Sequence, residues 1–221
     1  MTSGARILEL IKKDVKAEFR NLSTTSSVFL FAITIVFIAV KSFNEWNTLL
    51  FGAILWILIL FSALNASSKS FQAEAGLQRL FYYTLYNPLE LMISKIIYNT
   101  LFIFIIFAIC YSLLLFFNEL SVNHSWVYFL ASLLASASLS IINSFTSLIA
   151  QSTSIGNSNL LLSILALPLA IPVLLTMIKI TKNIHNTIEQ VSSSDDILLL
   201  LGINLLLFGV VLLLIRQLWT A

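Results

Sequence analysis

The sequence predicts an all-α polytopic membrane protein with six transmembrane helices, and three observations carry that prediction. The 221 residues are 59% hydrophobic and 10% charged, whereas an average soluble domain is about 25% charged. The apolar residues gather into runs close to the roughly 20 residues that a bilayer crossing needs. The charges fall mostly at the ends of those runs and in two longer connectors. No insert is large enough for a soluble core, so residues 1–221 are expected to form a single membrane domain.

An amphipathic helix is expected over residues 5–22. Ile7, Leu8, Ile11, Val15, Phe19 and Leu22 form an apolar stripe. Arg6, Lys12, Lys13, Lys16 and Arg20 share the remaining faces with Glu9, Asp14 and Glu18. Such a helix suits the headgroup plane and feeds the first span at an angle. It reads either as an elbow against a partner or as a simple anchor. The first apolar run starts at Val28, after mixed acidic and basic residues. No cleavable signal peptide is expected, and the first span should stay in the mature protein.

Span 1 covers about 23–43. Its apolar centre, Val28–Val40, is short for a crossing, so it borrows Ser23–Ser27 and Ser42–Phe43 while Lys41 snorkels outward. Asn44–Asn47 make a turn, with Trp46 at an interfacial position. Span 2 covers about 48–66.

The stretch that follows, Ser67–Lys95 (SSKSFQAEAGLQRLFYYTLYNPLELMISK), is polar and aromatic. It is too short for a domain and longer than a turn requires. Phe71, Ala75, Leu80 or Phe81, and Leu85 recur at roughly helical spacing, which predicts one or two short helices at the membrane surface over residues 67–90. This segment is either a handle for a partner or an anchor for the neighbouring spans.

Span 3 covers about 91–117, with Lys95 one turn inside its start and expected to snorkel back to the interface. Asn118–Ser125 is a short connector holding His124, and Trp126 marks the next interface. Span 4, about 127–150, carries Ser132, Ser136, Ser140 and Ser144 on one face, which reads as a packing seam or as part of a substrate path. Span 5, about 160–178, follows the loop Gln151–Asn159 and contains Pro168 and Pro172, one turn apart. Each removes a backbone donor, so the helix is expected to kink or break there, marking a candidate pathway. Lys179–Asp196 is the second polar connector and includes His185. Ser194 or Asp195 can cap span 6, about 197–215.

Six spans put both termini on one side. That side holds Arg6, Lys12, Lys13, Lys16, Arg20, Lys69, Arg79, Lys95 and Arg216, and the other holds Lys41, Lys179 and Lys182. The positive-inside rule then makes the termini and residues 67–90 cytoplasmic. The net charge of +2 gives no footing for nucleic-acid binding. None of the six glycines begins a phosphate-binding loop, and neither HExxH nor a defensible Ser-His-Asp set is present. The lone Cys110 sits in an apolar run and reads as a small core residue. No acidic pair lies inside a span, which argues against a proton-coupled carrier.

Three stretches together resemble the CcmB family, the permease-like subunit of the bacterial cytochrome c maturation system. They are the amphipathic start ending KAEFR (Lys16–Arg20), the segment with Glu74, Gly76, Leu80, Pro88 and Lys95, and LLLSILALPLAIPVLL (Leu160–Leu175). Leu77 follows Gly76 directly here, where many ABC-2 permeases have a Gly-x-Leu step.

The resemblance covers essentially the full length and implies an ABC-2, type V exporter-like fold in the bacterial inner membrane, with an elbow helix at its start. It implies that Phe71–Leu85 is a coupling helix, with Phe71, Glu74, Gly76, Leu77, Arg79, Leu80, Pro88 and Lys95 forming the ATPase-coupling segment. It further implies a CcmA-like ATPase and CcmC-like and CcmD-like membrane subunits as partners. A periplasmic haem chaperone is implied indirectly, membrane lipid surrounds the chain, and a homodimer fits within the complex. Haem is implied as a transported or handled ligand rather than a tightly bound cofactor, and the chain is not itself an enzyme.

His124 and His185 then read either as solvated connector side chains or as ligands to haem iron. Trp46, Trp56, Trp126 and Trp219 are isolated, so the tryptophan-rich motif of a CcmC-like partner is missing. The competing readings are an ABC-2 permease for a glycolipid or drug, and a structural membrane subunit with no transport cycle.

Overall fold

A computed structural model describes residues 3–20, 22–72, 87–118, 125–152, 158–185 and 194–220 of the chain. The described residues are almost entirely helical: α1 (Ser3–Arg20), α2 (Leu22–Ser42), α3 (Thr48–Gln72), α4 (Pro88–Phe117), α5 (Ser125–Ser152), α6 (Ser158–His185) and α7 (Ser194–Thr220). Helices satisfy their backbone groups internally, which is the condition for crossing hydrocarbon.

Five helices contain stretches long and apolar enough to cross a membrane: Thr48–Ala66, Pro88–Phe117, Trp126–Ala150, Leu161–His185 and Ser194–Ile215. Ser26–Ser42 of α2 is a shorter apolar helix.

Local chemistry sets the observed helix starts. The Asn47 side chain accepts a hydrogen bond from Leu50 N at 2.7 Å and caps α3. Asn87, in extended conformation, accepts from Leu89 N at 3.2 Å and caps α4. Pro88 then occupies the first turn of α4, where its missing N–H costs nothing. In the turn before α3, Trp46 Nε1 donates to Phe43 O at 3.1 Å.

The contacts fix the direction of the helices. The start of α3 meets the end of α6, where a Cβ on Gly52 would stand 3.1 Å from Thr181 Cβ. The end of α4 and the start of α5 join them through Tyr111 and Tyr128. At the opposite end, Ser140 and Ser144 of α5 bond Ile96 and Asn99 of α4. Val211 and Ile215 of α7 pack there with Met92, and α1 packs beside them. The helices α3 to α7 therefore alternate in direction, and α1 lies at the same end as the last turns of α7.

α5 is the hub. It packs against α3, α4, α6 and α7, and it is the most buried of the five long apolar helices, whereas α7 is the least. Lipid tails give no hydrophobic drive for helix association, so close approach and interhelical bonds must supply it. Ala131, Ala135, Ser132, Ser136, Ser140 and Ser144 are all fully buried, and their small side chains permit that approach. Ser140 Oγ donates to Ile96 O at 2.7 Å, and Asn99 Nδ2 donates to Ser144 Oγ at 3.3 Å. Ser132 and Ser136 donate back to carbonyls of their own helix. The serine face is a packing seam.

Two expectations change. α6 runs without a break through Pro168 and Pro172. Both prolines are exposed, while Ala166, Ala170, Val173 and Met177 of the same helix are buried. The lost backbone bonds fall on the outward side, so the packed inner face stays intact. The prolines thus line no interior path among the described residues. α6 also continues to His185, whose side chain is 3% exposed. His185 is a buried residue of the bundle and not a solvated connector side chain.

Candidate functional site

The first turns of α4, which leave the connecting segment 67–90, carry the polar groups of greatest interest. Glu90 falls in the first turn, where an acid suits the exposed N–H groups of the helix. Ser3 Oγ donates to Glu90 Oε1 at 2.6 Å. Arg6 stands 3.8 Å from Glu90 Oε2, an oxygen with no hydrogen-bond donor among the described residues, so that ion pair is loose.

One turn deeper, Lys95 Nζ lies 3.4 Å from Asp14 Oδ2 and 3.5 Å from Oδ1. Lys13 reaches the same carboxylate at 3.2 Å. Lys95 is 4% exposed and Asp14 is 7% exposed, so Lys95 does not snorkel to the interface. Charges taken out of water recover the desolvation cost only through close partners, which makes Asp14 and Lys95 a fixed contact.

Tyr98 and Glu18 stand next to each other after that. The partners on α1 thus run Ser3, Asp14, Glu18 as those on α4 run Glu90, Lys95, Tyr98. From Asp14 back to Ser3, α1 advances about 16 Å while α4 advances about 8 Å between its partners, at 1.5 Å per residue. α1 therefore crosses α4 obliquely as it climbs.

The face that α1 turns to the bundle is not the predicted stripe. Leu10 and Asp14 are buried, whereas Leu8, Val15 and Phe19 are exposed. On a helical projection Asp14 falls between Ile7, Leu10 and Ile11, an acid set inside an apolar sector. That misplaced acid was the available signal for the contact with Lys95.

The far end of the bundle holds a second cluster, buried and aromatic. Trp56 Nε1 donates to Thr181 Oγ1 at 3.0 Å, and Tyr128 OH lies 3.1 Å from the same oxygen. Tyr111 OH lies 3.4 Å from His185 Nε2. Phe51, Tyr111 and Tyr128 surround the imidazole with ring centroids 5.1, 5.9 and 5.8 Å away. Phe107 stacks on Trp56 and on Tyr111, completing a continuous aromatic core across α3, α4, α5 and α6. The hydroxyl, imidazole and indole groups satisfy one another there, as buried polar groups require.

Of the residues expected to couple to an ATPase, Glu74, Gly76, Leu77, Arg79 and Leu80 lie outside the described residues, and so does His124. Phe71 is in the last turn of α3, and Pro88 opens α4. Lys95 is brought together with Asp14, which the sequence alone did not single out. Pro168 and Pro172 are remote from both clusters, on the outward face of α6. Among the described residues no group of three or more His, Cys, Asp or Glu could hold a metal ion.

A family model described as CcmB protein matches residues 5–215 of the chain. No curated protein and no solved structure matches it.

Proposed function

The chain belongs to the CcmB family, and from that premise we propose that it is the permease subunit of an ABC-type haem exporter complex supporting cytochrome c maturation. The observation that carries this reading is the family match over nearly the whole chain, residues 5–215. In this reading a separate CcmA-like chain hydrolyses ATP, since the sequence has no phosphate-binding loop of its own. CcmC-like and CcmD-like subunits complete the complex in the bacterial inner membrane. Haem is the cargo or handled ligand, delivered to or released with a periplasmic chaperone.

α2 makes the first of six spans: its 21 residues reach about 31 Å, enough for the roughly 30 Å hydrocarbon core. Both termini and residues 67–90 are then cytoplasmic, where the ATPase engages them. A displacement of that segment reaches α4 at Pro88. α4 does not move alone, because Asp14 and Ser3 tie it to α1, and Ser140 and Ser144 tie it to α5. These helices would shift as one body, and the shift would be felt at Tyr111 and His185 at the other end.

The test is affinity purification of the tagged protein from its native membrane under mild detergent, alongside c-type cytochrome content of a deletion strain. The expected result is co-purification of an ATPase with CcmC-like subunits, and loss of c-type cytochromes on deletion. An ATPase accompanied by glycan or lipid enzymes, with normal cytochromes, would instead assign the permease to another substrate. Recovery with no ATPase would leave a structural membrane subunit.

A further inference from the structure

The two prolines of α6 change the chemistry of its outer face. Pro168 and Pro172 stand inside the candidate span Leu161–His185. Each lacks the N–H that a helical residue donates to the carbonyl four residues back, so the carbonyls of Ile164 and Pro168 lose that donor. α6 stays α-helical from Ser158 to His185, so no change of turn takes them up. Ile164, Pro168, Ile171, Pro172 and Leu175 are all exposed. They stand at i, i+4, i+7, i+8 and i+11 and form one stripe on the side that the bundle leaves open.

Hydrocarbon offers no hydrogen bond, and a backbone acceptor turned toward it is costly. The helix has nothing of its own to spare. The hydroxyl of Thr176, one turn beyond Pro172, is already given to Pro172 O at 2.8 Å. Every exposed residue of α6 from 164 to 175 is Ile, Leu or Pro, and none of these carries a side-chain donor. Two copies of the chain laid face to face along this stripe would leave the same carbonyls unpaired. The partial negative charge of the two oxygens, about 6 Å apart along the axis, calls for donors from elsewhere.

We propose that this stripe is the docking surface for a transmembrane helix of a different chain, one that carries two hydrogen-bond donors, hydroxyl or amide, one turn apart. Those donors meet Ile164 O and Pro168 O, while Ile171 and Leu175 pack against the apolar side chains beside them. Interhelical hydrogen bonds and close packing drive association in lipid, where apolar contact by itself has no advantage over acyl chains. The proposal rests on the reading of this chain as one subunit of a membrane assembly, and it adds where that assembly closes on α6.

The test places a photoreactive benzoylphenylalanine at Ile171 in the tagged full chain. Whole cells of the native host are irradiated, and the crosslinked peptide is identified by mass spectrometry. The expected adduct is to a transmembrane segment of another chain with two such donors three or four residues apart. Pro168→Ala with Pro172→Ala restores both N–H groups and pairs the carbonyls within α6. The adduct per inserted chain should then fall several-fold. If the double variant does not insert, Pro168→Ala, which restores the bond to Ile164 O, takes its place.

An adduct to lipid only, to a second copy of this chain, or to a segment without such donors would overturn the proposal. So would a yield that the restored N–H groups leave unchanged. An ATPase recovered in the same preparation without the adduct would overturn the docking surface and leave the exporter reading standing. The adduct without an ATPase would keep this surface and remove the exporter reading.

Discussion

Asp14 and Lys95, 81 residues apart in sequence, form a buried ion pair at 3.4 Å that fastens the N-terminal helix to the first turns of α4. The pair sits one turn beyond Glu90, which Ser3 and Arg6 approach from the same helix. α1 is thus a structural part of the bundle as well as a surface element.

Breaking this pair from one side should cost more than removing it from both. Asp14→Leu strips Lys95 of its carboxylate, as Lys95→Met strips Asp14 of its cation, and either should destabilise the protein by about 3 kcal/mol, the lower end for a broken buried pair. Asp14→Leu combined with Lys95→Met should recover much of that loss. Thermal unfolding of the four members of the cycle in detergent checks it, and strictly additive costs would mean the pair is not coupled.

The serine seam predicts a contrast of size. Ser140→Ala removes one interhelical bond to Ile96 O and should cost about 0.6 kcal/mol, the average for such bonds in a membrane protein. Ser140→Leu forces volume between α4 and α5 and should cost about 1–3 kcal/mol. Melting temperatures that fall equally in both variants would contradict close packing at this point.

Thr181 serves two buried partners, Trp56 Nε1 and Tyr128 OH. Thr181→Val keeps the shape and removes the hydroxyl, leaving the indole N–H without its acceptor at a cost of about 1–3 kcal/mol. Tyr128→Phe removes a partner but strands no donor, and should cost about 1 kcal/mol. A shift in Trp fluorescence on Thr181→Val, absent in Tyr128→Phe, would mark the lost bond.

If residues 67–90 transmit the work of an ATPase, Glu74→Ala or Gly76→Trp should uncouple it. ATP hydrolysis by the complex should persist while c-type cytochrome maturation falls at least about tenfold, a loss of about 1.4 kcal/mol in effective coupling. Membrane levels of the variant should match the wild type. Normal maturation in both variants would remove the coupling role from this segment.

The helical ranges were largely legible because their cause is local. A run such as Leu91–Phe117 has nowhere stable to be except hydrocarbon or a buried core, and a helix is the form that satisfies its backbone. The small residues of α5 announced a seam for a similar reason, since four-residue spacing puts them on one face whatever that face meets. The start of α4 was written locally too, in Asn87, Pro88 and Glu90.

Partners were not legible. Lys95 on its own reads as a snorkelling cation, and a carboxylate that keeps it inside is visible only once α1 is laid across α4. His185 follows the strongly apolar run of span 5 and looks like a connector residue. It is buried because α6 keeps turning until its imidazole meets Phe51, Tyr111 and Tyr128. Pro168 and Pro172 promise a break, but a helix packed along Ala166, Ala170, Val173 and Met177 can carry two outward prolines without parting.

The sequence by itself determined that this is a helical protein of the membrane and, through its resemblance, the family it belongs to. Tertiary structure decided which charges are paired, which face of α1 is packed against α4, and which aromatic groups enclose His185. The reason is physical: hydropathy and helix capping act over a few residues, whereas an ion pair or an aromatic cluster depends on where distant helices cross.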